Sequence, residues 1–62
     1  MKFWKVRHTE QRGYVRVDFF VSNHPEQTYS NTGRLMMSLE DWADLRARLL
    51  KSGGITIIEA KA

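Results

Sequence analysis

No cysteine occurs in this chain of 62 residues, which excludes a disulfide framework and a thiolate metal site, two usual staples of a domain this short. Only about 60% of the unfolded surface is buried when so small a chain folds. Stability must therefore come from packed aromatics and aliphatics or from association, and a partner, a second copy included, is an expectation. Long apolar runs are lacking too. Lys2, Lys5 and Arg7 interrupt the N-terminal segment, so neither a signal-peptide core nor a membrane-spanning stretch is expected, and the expected address is the cytoplasm. Internal repeats, low-complexity tracts and linkers are also missing, and residues 1–62 read as one compact domain.

Strong charge of one sign is absent as well. Ten Lys plus Arg stand against seven Asp plus Glu, a net charge of +3. Nucleic acid is permitted by that balance without being demanded by it.

Catalytic constellations are just as scarce. The chain has two histidines, His8 and His24. His8 ends a strand-like run and His24 precedes Pro25 in a polar stretch, so neither is placed to activate a nucleophile. Ser38 is accounted for as a helix cap. Gly53 and Gly54 follow a helix rather than preceding one, the wrong end for cradling phosphate. No histidine or carboxylate spacing suits a metal. The expectation is a protein without catalytic residues, cofactor, metal or small-molecule substrate.

What is present is a pattern of strands. "KFWKVRH", residues 2–8, alternates with period two, placing Trp4, Val6 and His8 on one face and Phe3, Lys5 and Arg7 on the other. Residues 9–13 carry polar groups and a glycine and read as a hairpin loop. "YVRVDFFV", residues 14–21, sets Val15, Val17, Phe19 and Val21 on one side and Tyr14, Arg16, Asp18 and Phe20 on the other. The all-apolar side is the core side. Val6 opposite Val17 is the expected register: it faces Trp4 with Phe19 inside, and Phe3 with Phe20 and Lys5 with Asp18 outside.

Residues 22–33 hold turn chemistry and read as a loop or a long hairpin tip, with residues 34–37, "RLMM", as a short third strand. Ser38 caps a helix whose first turn carries Glu40 and Asp41. Leu39, Trp42, Leu45 or Arg46, Leu49 and Leu50 form its stripe, Asp44, Arg48 and Lys51 face water, and Gly53 ends it. "ITIIEAK", residues 55–61, is the last strand. The expected fold is α+β: a small antiparallel sheet, made of a hairpin, a short third strand and a C-terminal strand, with one helix packed on one face. Its expected core is Trp4, Val6, Val15, Val17, Phe19, Val21, Leu39, Trp42, Leu45, Leu49 and Ile57, with Trp4 near Trp42 and Leu49.

With one helix, one sheet face stays bare. It carries Phe3, Tyr14 and Phe20 ringed by Lys5, Arg7 and Arg16, the makings of a protein-binding hot spot. Aromatics and cations on an open sheet also suit unpaired bases and phosphate. Asp18 in the middle would repel phosphate, and the small net charge favours a protein partner over DNA or RNA. The polar loop adds Tyr29 as a candidate contact.

In its element order, "GYVRVDFF" leading through a polar turn to "GRLMMSLEDW" resembles the three-strand-plus-helix DNA-binding architecture of phage integrase arm-binding and AP2-type domains. That resemblance implies a sheet entering the major groove, with Arg7, Arg16 and Phe20 at the matching positions. The chain departs from it in lower basic density, in Asp18 and in a further strand after the helix. "MSLEDWADLRARL" and the small size also resemble the small uncharacterised proteins encoded by bacteriophages, which implies a short protein that binds one host or phage component without catalysis.

Overall fold

In a computed structural model, residues 2–60 are described. They form β1 (Phe3–Gln11), β2 (Tyr14–Ser22), β3 (Ser30–Met37), α1 (Leu39–Ser52) and β4 (Ile55–Ala60). The α+β class holds, with one helix laid on a four-stranded sheet of order β3-β2-β1-β4. The sheet is mixed rather than antiparallel: β1 pairs antiparallel with β2, and β2 with β3, but β4 runs parallel to β1. The cause is the helix. Leaving β3, α1 carries the chain back over the sheet, so β4 re-enters in the direction of β3 and hence of β1. Lys61, expected to close the last strand, lies outside the described residues.

Both ends of the first hairpin differ from the sequence expectation. β1 continues through Thr9, Glu10 and Gln11, leaving Arg12 and Gly13 as the connection. Gly13 has φ 76°, a left-handed value that glycine adopts without the Cβ penalty. Because Gln11 faces Tyr14, the register sets Val6 opposite Phe19, Trp4 opposite Val21, Lys5 opposite Phe20 and Arg7 opposite Asp18, two residues from the expected Val6 with Val17. The faces survive the shift, since a slip of two preserves sidedness. β3 begins at Ser30, four residues earlier than expected, and a bulge near Phe19 and Phe20 absorbs the irregularity.

Val6, Val15, Val17 and Trp42 are buried, with Phe19, Met37, Leu45, Leu49, Ile55 and Ile57 packed around them. Three members of the expected core are not in it. Val21, near the end of β2, is half-buried outside the cluster. Trp4 is 37% exposed and Leu39 46%. Trp4 is on the helix side of the sheet, but His8 takes the place against Trp42, with ring centroids 4.8 Å apart. Leu39 opens the helix, where the stripe has not yet turned onto the sheet. The helix start is as expected: the Asp41 amide donates to the Ser38 hydroxyl at 3.1 Å, and the Trp42 amide donates to the Ser38 carbonyl at 3.0 Å. Gly53 and Gly54, both at positive φ, turn the chain into β4.

Candidate functional site

On the sheet face away from α1, the pairing lines side chains up in rungs. One rung crosses all four strands: Ile58, Arg7, Asp18 and Arg34. A second holds Ala60, Thr9, Arg16 and Met36, and a third Thr56, Lys5, Phe20 and Asn31. Neighbours along a strand on one face are about 7 Å apart and neighbouring strands about 4.8 Å. Lys5, Arg7, Arg16 and Arg34 therefore share one compact patch.

Asp18 is its centre. Rather than interrupting the face as an outward negative charge, Asp18 is 0% exposed, roofed by three guanidinium groups. Arg34 Nε donates to Oδ1 at 2.7 Å, while Arg7 Nη2 and Arg16 Nε stand 3.5 Å from Oδ2. Burial by itself pushes the Asp18 carboxyl up. The hydrogen bond and charge of Arg34, followed by the charges of Arg16 and Arg7, outweigh that, and its pKa lies below the ordinary aspartate value. The arginine side chains remain one-third to more than one-half exposed. A sunken anion thus holds three cations in place at the surface.

Lys5, Arg7, Arg16 and Arg34 with Asp18 carry a formal +3, and the six other cations of the chain equal its six other anions in number, so this patch alone carries a charge equal to the chain's whole net +3. Polar strain gathers there too. Among the described residues, the buried side-chain polar atoms without a hydrogen-bond partner are Arg7 Nε, Arg16 Nε, Asp18 Oδ2 and Thr9 Oγ1, all within the adjoining rungs of β1 and β2.

The aromatic members are divided. Phe20 and the loop residue Tyr29 reach the patch, and each ring is met by a cation: Arg7 Cζ at 5.1 Å from the Phe20 centroid and Lys5 Nζ at 4.2 Å from that of Tyr29. With Ile58 these residues line a groove of about 370 Å³. Phe3 is half-buried at the end of β1, opposite Ser22. Tyr14 is exposed but faces Gln11 at the other end of the hairpin, six residues along β2 from Phe20 and so about 20 Å away. Phe3, Tyr14 and Phe20 do not form one cluster. The loop before Tyr29 is tied down, because the Ser22 hydroxyl donates to the His24 carbonyl at 2.7 Å and the Gln27 amide donates to the same carbonyl at 3.2 Å.

Sequence reading missed Arg34, Thr9 and Ile58 as members of the face. The signal was within reach for Arg34: it lies in the expected third strand, and the register that pairs Met37 with Val15 sets it beside Asp18. Among the described residues no group of histidines and carboxylates could hold a metal ion, and no helix is long and apolar enough to cross a membrane. Compared with known proteins, the chain matches no family model, no curated sequence and no solved structure.

Proposed function

We propose that this is a non-enzymatic binding module of the cytoplasm that docks the phosphate backbone of double-stranded nucleic acid on the open face of its sheet. One observation carries the reading: four cations crowd that single face around one buried carboxylate, a local excess of +3. A modest net charge argues against nucleic acid only when it is spread, and Asp18 argues against phosphate only when it points outward. Neither condition applies. Because the Phe20 and Tyr29 rings are each engaged by a cation, phosphate contact is favoured over base stacking. The likeness to integrase arm-binding and AP2-type domains is analogy that points the same way. So does the likeness to small phage-encoded proteins, which suits a short protein acting on one host or phage component.

The test is a salt titration of binding to a labelled duplex. Three phosphate contacts give a slope of log affinity against log salt near −2.7, about a 40-fold loss between 50 and 200 mM. Lys5→Gln and Arg16→Gln each lower that slope by about one. Absence of binding to duplex at low salt, or a slope that neither variant changes, overturns the proposal.

A second reading is a protein partner, favoured by the groove between Lys5, Phe20, Tyr29 and Ile58, which would take an acidic segment bearing an apolar side chain. Recovery of one protein by pull-down from nuclease-treated lysate, abolished by Tyr29→Ala and untouched by Arg16→Gln, would favour it.

A further inference from the structure

We infer that two copies of the chain associate through β3, edge to edge and antiparallel, into a continuous eight-stranded sheet. β3 borders the sheet, so among the described residues no strand lies beside one side of its backbone. Such edges in monomers are guarded by proline, by several charges or by a bulge. Here the bulge lies at the Asn31 end, Arg34 is the strand's one charge, and the remainder is bare. Leu35 is 51% exposed on the helix side and Met36 58% on the open side, with the half-exposed Leu39 close behind. Large apolar surface thus flanks this edge on both faces.

The identity of the occupant follows from the strand's fit to itself. Two antiparallel strands related by a two-fold axis must pair residues that point to the same face, so the axis passes through one residue and its copy. Centring on Arg34 opposes like charges, and centring on Gly33 sets Leu35 against Asn31. Centring on Leu35 pairs Leu35 with its copy, Arg34 with Met36 and Gly33 with Met37, joining apolar to apolar and covering the arginine stem. The opposite edge offers no equivalent: centring β4 on Ile58 sets Ile57 against Glu59, and centring it on Ile57 sets Ile55 against Glu59. The axis stands perpendicular to the sheet, so both cationic faces point the same way and the charged surface doubles. Five residues per strand, 33–37, with the Leu35 and Leu39 side chains amount to a contact at or below the ~1,200 Å² lower bound of stable interfaces, so the dimer is reversible.

Sedimentation of the full chain over a concentration series tests this, with circular dichroism confirming that each variant is folded. The wild type should pass from monomer to dimer in the micromolar range, about 1–100 μM. Leu35→Lys, which puts like charges on the axis, should weaken association at least about tenfold, whereas Ile58→Lys on the other edge should change it less than about twofold. Should Leu35→Lys fail to fold, Met36→Lys, which meets Arg34 of the second copy, is read in the same way. A wild type that stays monomeric at about 1 mM overturns the inference. So does a dimer indifferent to the β3 variants, or one dissolved by Ile58→Lys or Phe20→Asp instead.

Discussion

Replacing Asp18 by Asn removes one charge and almost no volume, so its effect isolates what the buried carboxylate does. In the native chain Oδ1 accepts from Arg34 Nε at 2.7 Å, and Oδ2 is flanked by Arg7 and Arg16 at 3.5 Å. A hydrogen bond to a charged group contributes about 1.5–3 kcal/mol. Removing one partner of a fully buried pair costs about 3–5 kcal/mol, but these arginines are partly exposed and can turn to water, which places the expected loss near 2 kcal/mol. For a domain of this size that is about 8–16 °C in Tm. The pH dependence carries the sign. Because the folded carboxyl titrates below its ordinary value of 3.8, its contribution is complete above that value and disappears as pH falls through the lowered folded pKa. Thermal or urea unfolding of both chains, from pH 7 down into the acid range, should show a gap that is constant near neutrality and closes in acid. Equal stability at pH 7, or a gap that persists once Asp18 is protonated, would refute the account of Asp18 as the anion that orders the face.

The sidedness of the sheet was legible because period-two alternation is a local property: Val15, Val17 and Phe19 declare one face of β2 whatever they pair with. Register was not, because it depends on where the turn closes. Gln11 looks like loop chemistry, yet Gly13 alone supplies the left-handed residue of the connection, so β1 extends to Gln11 and every cross-strand partner moves by two. That shift turned an expected pairing of Lys5 with Asp18 into Arg7 with Asp18, and it explains why a charge that seemed to spoil the face organises it. The polar stretch "SNTG" hid the first half of β3, since of its residues Thr32 alone favours a strand. Its pairing is tertiary, imposed by β2, and the same register, which a strand of residues 34–37 does not specify, is what sets Arg34 against Asp18. Direction of β4 could have been reasoned from chain geometry, because three antiparallel strands and a returning helix leave the last strand parallel to the first. The place of Trp4 depends on where the helix axis crosses the sheet, a non-local quantity that chose His8 as the neighbour of Trp42.

Thr9 buries a hydroxyl without a hydrogen-bond partner, so Thr9→Val should leave stability unchanged or raise it by up to about 1 kcal/mol, as read from urea midpoints. A clear loss would mean that the hydroxyl is satisfied in solution. The two tryptophans should differ sharply in cost, although sequence periodicity assigns both to the core. Trp42 is the helix residue buried against His8 and the valine cluster, so Trp42→Ala should cost about 3–5 kcal/mol, which for a domain of this size equals or exceeds its whole stability, and the chain should be unfolded at 25 °C. Trp4 lies outside the buried cluster with its ring partly in water, and Trp4→Ala should keep the chain folded with a loss of about 2 kcal/mol; if that variant instead unfolds as Trp42→Ala does, the core extends to Trp4.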